Sequence, residues 1–424
     1  MSLVSSAGHL VGNVVERARK IPPFKTKVTV YQNVQRVLKT ASKVITFPSP
    51  EMFTGVGSSL KLCEHIAAQG VKNILLVTDS FLLQSGLITP IQDKLASLGV
   101  AVTAYDGIKP DPTIAQIETG LALLKAKGCT AIIAVGGGSS MDAAKVIAAR
   151  ANNPHKIAHM GGLFRVIFKP MSLYVVPTTA GTGSEVTIAA VVSDPDNKRK
   201  FAIMDPKLVP VAAALDGGLM TGLPPAITAA TGMDALTHAV EAYISNNHTP
   251  TTDDQALRAT RLIMQNLPKV MKDGQDLEAR QNMAQASCWA GQAFTVAGVG
   301  YVHAIAHNFG AYYHIPHGLA NAIILPKVLE FSKPNCIQRL ATLAEVSGLK
   351  QGGESPSQLA DAFIAHVKQL NAAFGIPTHV EKLKASDIPA IAKAALREAH
   401  WTYAVPRYMN QADCERFIAQ MLVN

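Results

Sequence analysis

Residues 131–150, AIIAVGGGSSMDAAKVIAAR, read as a strand, a glycine turn and a helix. The unbroken apolar run fits a strand covered on both faces, and MDAAKVIAAR has helical spacing. Between them stand Gly136, Gly137, Gly138 and Ser139. Glycine lets backbone N–H groups approach a ligand closely, and the start of a helix adds partial positive charge. Together they form a cradle for a diphosphate. The spacing is not GxGxxG, so the segment alone is equally a tight turn with no ligand.

Outward from this unit the pattern repeats. NILLVTDS (73–80), VAVTAYDG (100–107) and LYVVPTTAG (173–181) read as buried strands, with QDKLASLG (92–99) and QIETGLALLKAKG (116–128) as helices between them. Such alternation from Lys72 to about Asp205 predicts an α/β domain, a Rossmann-like parallel sheet with helices on its faces. Ligands of these sheets bind at the carboxyl ends of the strands. A second turn there, Pro177-Thr178-Thr179-Ala180-Gly181-Thr182-Gly183-Ser184-Glu185, offers hydroxyls beside bare backbone. Two phosphate-friendly turns on successive strands point to a bound nucleotide. Asp79 closes the first strong strand, where a carboxylate accepts hydrogen bonds from a ribose diol and repels a 2′-phosphate, favouring NAD over NADP. It is also placed to cap the next helix.

Past Leu223-Pro224-Pro225 strand-like runs disappear. ALRATRLIMQNL (256–267), QNMAQASCWAGQAF (281–294), IQRLATLAEV (337–346) and IPAIAKAALREA (388–399) predict an all-α second domain. The expected division is a basic extension over 1–45, an NAD-binding α/β domain over 46–222 and a helical metal-binding domain over 223–424.

That second half carries a histidine-rich set: Asp234 and His238 in GMDALTHAVE, His303 and His307 in YVHAIAHNFG, and His317 in IPHG. Residues four apart share a helix face, so each pair can aim at one point. His317 is expected across a turn marked by Pro316 and Gly318. A carboxylate with imidazoles and no thiolate suits Fe²⁺ or Zn²⁺. Any one HxxxH is equally a coincidence of surface or core histidines. Glu241, three residues after His238, reads either as a carboxylate orienting a ligand imidazole or as an ordinary surface residue, the latter favoured.

Composition narrows the class. Residues 1–50 hold eight basic side chains and one acid, so most of the formal net charge of +9 sits in the leader and the remainder is near neutral. Nucleic acid is therefore not an expected partner. Within the leader Val34, Val37, Leu38, Ala41, Val44 and Ile45 recur at helical spacing, which predicts a helix packed on this chain or on a neighbouring subunit. Five scattered cysteines, Cys63, Cys129, Cys288, Cys336 and Cys414, imply free thiols in a reducing compartment, the cytoplasm. No apolar run reaches membrane-spanning length, and the first residues lack the order of a cleavable signal.

GGGSSMDAAK, PTTAGTGSE, GMDALTHAVEAY and HAIAHNFGAYYHIPHG, in this order, resemble the iron-containing (group III) alcohol dehydrogenases from about Val44 to Arg407. The resemblance implies that Asp234, His238, His303 and His317 bind the metal and that His307, the candidate catalytic residue, lies beside the nicotinamide rather than on the metal. It places Asp79 at the adenosine ribose and Gly137, Gly138 and Ser139 at the diphosphate. Thr178, Thr179 and Thr182 fall in the second cofactor turn, Thr187 and Lys200 touch the cofactor further along, and Leu215 packs near the adenine. Ala189 and Val405 stand where many members carry asparagine, which leaves the substrate open. Phe294, on the same helical stretch as His303, and Trp401 are candidates to line its pocket.

The implied activity is NAD- and metal-dependent interconversion of an alcohol with an aldehyde or ketone by hydride transfer. The metal, Fe²⁺ before Zn²⁺, acts as a Lewis acid on the alcohol oxygen. His307 either relays the proton or only positions the nicotinamide. Alternatives on the same fold are a hydroxyacid–oxoacid transhydrogenase with bound nucleotide and a dehydroquinate-synthase-like lyase. The expected partners are a small-molecule substrate and further copies of the chain, as a homodimer or larger.

Overall fold

Nine strands form two sheets in the computed structural model, which describes residues 24–42, 47–197 and 199–423. They are β1 (Glu51–Thr54), β2 (Asn73–Val77), β3 (Ala101–Tyr105), β4 (Ala131–Gly136), β5 (Gly162–Leu163), β6 (Ser172–Pro177), β7 (Ala189–Asp194), β8 (Arg199–Met204) and β9 (Ala212–Leu215). Six of them make a wholly parallel sheet in the order β1-β9-β6-β4-β2-β3. The expected α/β half is borne out. A smaller sheet, β5-β8-β7, is built from strands that interrupt it in sequence, β5 between β4 and β6 and the other two between β6 and β9.

The unbroken apolar strands have a direct cause. Leu75, Val77, Ile132, Ala134 and Val175 pack into one core, whereas Ile74, Leu76, Ile133, Val135 and Val176 pack into another. Side chains alternate faces along a strand, so a sheet with helices on both faces needs apolar residues at every position. The winding reverses between β2 and β4, since β3 lies on one side of β2 and β4 on the other. That is a topological switch point, where sheets of this kind open a crevice at the strands' carboxyl ends.

By packing, the chain forms two compact units. One holds Phe47–Leu223 with Asp273–Gly291; the other holds Pro224–Lys272, the residues from Gln292 on, and the N-terminal helix. The second unit is helical, with its longest elements at Pro225–Ile244, Pro250–Lys272 and His317–Val346. Among the described residues no helix is long and apolar enough to cross a membrane.

Residues 273–291 join the sheet unit through specific contacts. The Gln281 side chain accepts from Gly217 N at 2.9 Å and donates to the Leu215 carbonyl at 2.9 Å. Gly183 approaches Gly291 so closely that a Cβ on it would lie 2.6 Å from the Gly291 Cα, and its φ is +62°. Gly183→Ala therefore combines left-handed strain with a clash against backbone, and is expected to cost about 2–4 kcal/mol. Gly99→Ala is the control: its φ is +76° with nothing within 4 Å, so only the strain of about 1–2 kcal/mol applies. Equal melting temperatures for the two variants would remove the packing argument.

The leader forms a helix, Phe24–Ser42, and packs on its own unit. Tyr31 stands edge-on to Trp401 with ring centroids 4.7 Å apart, Val34 and Gln35 are buried, and the Gln35 amide donates to the Trp401 carbonyl at 3.1 Å. Val37, expected on the buried stripe, is 58% exposed; the contact face is rotated towards Tyr31 because aromatic packing sets it. Val44, Ile45 and the basic residues before Phe24 lie outside the described residues. All five cysteines are buried free thiols.

Candidate metal centre

Four side chains from three helices converge within the helical unit. One ligand atom from each of Asp234, His238, His303 and His317 lies within 4.8 Å of the others. Asp234 and His238 sit four apart on Pro225–Ile244, as the spacing predicts, and His303 lies in the first turn of Tyr301–Tyr313. That helix closes at His314, whose φ of 54° is left-handed. Pro316 then starts the next helix, so His317 is its first residue. Gly318 is not a turn residue. A Cβ there would lie 2.4 Å from the Ala230 carbonyl oxygen, so the missing side chain lets this helix start press against the helix of Asp234.

Asp234, His238 and His303 are buried, while the His317 side chain is 34% exposed, so the cluster opens on the His317 side. Burial, and then the neighbouring His238, His317 and His307, push the His303 pKa well below its usual value. A neutral imidazole results, the form that binds metal.

Glu241 corrects the surface reading. It is 3% exposed and accepts from Gly300 N and Val302 N, each at 2.8 Å, and pairs with His303 Nδ1 at 2.7 Å. A carboxylate from another helix thus satisfies N–H groups that the start of Tyr301–Tyr313 leaves unpaired. With Nδ1 committed to Glu241, the His303 lone pair is on Nε2. Burial pushes the Glu241 pKa up to about 7, against the pull of these donors. Asn321, four residues after His317, brings its Nδ2 to 2.6 Å from Asp234 Oδ1 and 3.1 Å from the Nε2 atoms of both His303 and His317. Its Oδ1 is buried without a hydrogen-bond partner. A buried carboxylate and three imidazoles facing one point fit a divalent cation, and oxygen and nitrogen donors without sulfur fit Fe²⁺ or Zn²⁺.

His307 is beside this cluster and not in it. Its ring stacks on that of His317, 5.3 Å away and 15° from parallel. Its Nδ1 pairs with Glu398 Oε1 at 2.8 Å, and the Tyr403 hydroxyl donates to the same oxygen at 2.7 Å. Burial raises the Glu398 pKa, but the adjacent His307 and these two hydrogen bonds outweigh it and hold it below the usual range.

Two pocket expectations change. Phe294 is not on one continuous helix with His303: Leu277–Ala297 ends before Gly298 at φ +76°. Phe294 instead stacks on His238 of the helix Pro225–Ile244, with ring centroids 4.3 Å apart. Trp401 packs against the leader helix through Tyr31.

The residues expected at a cofactor lie in the sheet unit. Asp79 follows β2 and caps the next helix, accepting from Leu82 N at 2.9 Å. Gly137 caps the helix Gly138–Asn152 after β4, and Ser139 Oγ accepts from Asp111 N at 3.4 Å. Thr178, Thr179 and Thr182 follow β6, and a Cβ on Gly138 would meet Thr182 Cγ2 at 2.7 Å, so the two turns touch. Leu215 ends β9 fully buried. Thr187 is also buried, and its hydroxyl takes a hydrogen bond from Lys145 Nζ at 3.0 Å. Lys200 on β8 pairs with Asp111 at 2.5 Å.

Several residues of these sites went unread in the sequence. Lys145 and Asp142 lie inside GGGSSMDAAK, yet their partners Thr187, Ser184 and Val191 are over forty residues away. Glu398 and Tyr403 likewise meet His307 only through the fold. Asn321 had a signal: it is four residues from His317 on the same helix, hence on the same face.

Comparison with known proteins bears on the whole arrangement. Residues 49–217 match the family model described as iron-containing alcohol dehydrogenase, and residues 228–422 match that of the Fe-containing alcohol dehydrogenase family, C-terminal. Lactaldehyde reductase of Escherichia coli K12 is 38% identical over 346 residues, 81% of this chain and 90% of that protein. NAD-dependent methanol dehydrogenase of Bacillus methanolicus is 36% identical over 380 residues, 89% and 98% of the two chains. The crystal structure of a 1,3-propanediol oxidoreductase superposes with a TM-score of 0.86 at 37% identity, covering 89% of this chain and all of that one.

Proposed function

The chain belongs to the iron-containing alcohol dehydrogenase family, and on that footing we propose that it interconverts a small alcohol and its aldehyde or ketone using NAD and one divalent metal, Fe²⁺ in preference to Zn²⁺. The observation that carries the metal half is the meeting of Asp234, His238, His303 and His317. Support for NAD comes from the two glycine-rich turns at the ends of β4 and β6, from Asp79, and from the name of the methanol dehydrogenase relative. In this reading residues 46–222 bind the cofactor and 223–424 the metal.

When bound, the cation polarises the substrate oxygen and the nicotinamide accepts or supplies hydride. The remaining work belongs to side chains. Asp234, His238, His303 and His317 hold the ion, and Glu241 keeps His303 in the tautomer whose Nε2 carries the lone pair. His307, with Nδ1 committed to Glu398, takes the substrate hydroxyl proton on Nε2 during oxidation and returns it during reduction. Gly137, Gly138 and Ser139 receive the diphosphate, Thr178, Thr179 and Thr182 supply the second turn, and Asp79 holds the ribose diol. Thr187, Lys200 and Leu215 complete the cofactor's surroundings. The reading includes assembly as a homodimer or larger and a reducing, cytoplasmic setting in keeping with the five free thiols.

The direct test follows NADH absorbance over a series of alcohols with metal-loaded and metal-stripped protein. Turnover only in the loaded sample supports the reading, and equal turnover in both refutes it. The ribose assignment has its own test. Asp79→Gly removes the charge that repels a 2′-phosphate, so the NAD-to-NADP ratio of kcat/KM is expected to fall on the order of tenfold or more, about 1.4 kcal/mol. Unchanged NADP turnover would place Asp79 outside the ribose site, leaving only its helix cap.

A further inference from the structure

We propose that Glu398, assisted by Tyr403, is a positioning residue for His307: it fixes the ring's tautomer and aim so that Nε2 is the nitrogen offered to substrate. The inference rests on the reading of His307 given above, and it adds the group that makes His307 fit for the role.

The geometry is specific. His307 lies on Tyr301–Tyr313 and Glu398 on Ile388–Thr402, with Tyr403 the residue that ends the latter helix. Glu398 Oε1 is 2.8 Å from His307 Nδ1 and 2.7 Å from the Tyr403 hydroxyl. An ionised carboxylate only accepts hydrogen bonds, so the proton between Glu398 and His307 belongs to Nδ1. In a neutral imidazole the other nitrogen is then the acceptor. Among the described residues Nε2 of His307 makes no hydrogen bond, and the side chain is 30% exposed. The ring is held on one edge, stacked on His317 along its face, and open on the edge that matters. Tyr403 donates to the same carboxylate oxygen, so Glu398 cannot rotate away without losing two partners.

The support continues one layer out. Tyr31 packs on Trp401, and the Gln35 amide donates to the Trp401 carbonyl at 3.1 Å, near the end of the helix that carries Glu398. Both come from the helix Phe24–Ser42, which precedes the residues matched by the family models. The leader thus fastens the segment from which Glu398 reaches His307.

The test uses full-length, zinc-loaded protein labelled with ¹⁵N-histidine, together with steady-state kinetics. In the wild type His307 is expected to show a protonated Nδ1 and an unprotonated Nε2; the reverse tautomer overturns the proposal without any variant. In Glu398→Ala the ring is expected to lose its single tautomer, and kcat to fall about ten- to a hundredfold with KM within about twofold. Glu398→Gln retains a carbonyl oxygen for Nδ1–H and is expected to recover most of both readouts. A Glu398→Ala protein with the wild-type tautomer and kcat would show that Glu398 serves packing alone. If the wild type oxidises no alcohol with NAD, the functional reading fails, while the tautomer measurement still decides the positioning role.

Discussion

His303→Ala is expected to strip the bound metal and to lower turnover by on the order of a hundredfold or more, with the far-UV spectrum unchanged. Of the four converging side chains, His303 is the most tightly held. It is 3% exposed, its Nδ1 is tied to Glu241, and its ring lies 4.5 Å from that of His238 and 5.3 Å from that of His317. A Lewis acid is worth several kcal/mol in a reaction of this class, and each 1.36 kcal/mol is tenfold in rate. The fold should survive, because Glu241 keeps its bonds to Gly300 N and Val302 N when the imidazole is gone. Full activity in the variant, or in a metal-free preparation of the wild type, would break the link between these residues and catalysis.

Glu241→Ala should act on both stability and metal. It orphans Gly300 N and Val302 N in a buried setting and releases His303 Nδ1. A buried donor left unsatisfied costs about 1–3 kcal/mol, so the pair predicts a loss of about 2–6 kcal/mol in unfolding free energy. A ligand histidine freed from its carboxylate is expected to weaken metal affinity about ten- to a hundredfold. Glu241→Gln should recover only part of this, because its amide nitrogen cannot accept from the backbone. Denaturant melts and competition with a chelator separate the two effects. A variant with wild-type stability and wild-type affinity would mean that the carboxylate merely fills space.

These effects differ in how far they can be read from sequence, and the reason is range. Strand-turn-helix order in AIIAVGGGSSMDAAKVI is local, because alternate apolar residues of each strand serve separate cores and leave a continuous run. The pairing of Asp234 with His238 is equally local, set by one helix turn. Joining those two to His303 and His317 requires three helices to meet, which spacing allows but does not impose. Glu241 shows the limit most clearly. Its position on the helix face was visible, yet its partners are the backbone of Gly300 and Val302, some sixty residues on. Glu398 is further removed, ninety-one positions from His307. The gap between Ala297 and Tyr301 was hidden because Gly298-Val299-Gly300 interrupts two segments that are both apolar and alanine-rich. The leader's contact face departs from its apolar periodicity at Val37, since periodicity records apolar side chains and the packing there runs through Tyr31 and the Gln35 amide.

Anomalous diffraction at the iron edge from anaerobically iron-loaded crystals decides whether one divalent ion is held by these four side chains. A single strong peak per chain is expected, about 2 Å from a nitrogen of His238, His303 and His317 and an oxygen of Asp234. An active, iron-containing crystal whose anomalous peak lies away from those residues would contradict it.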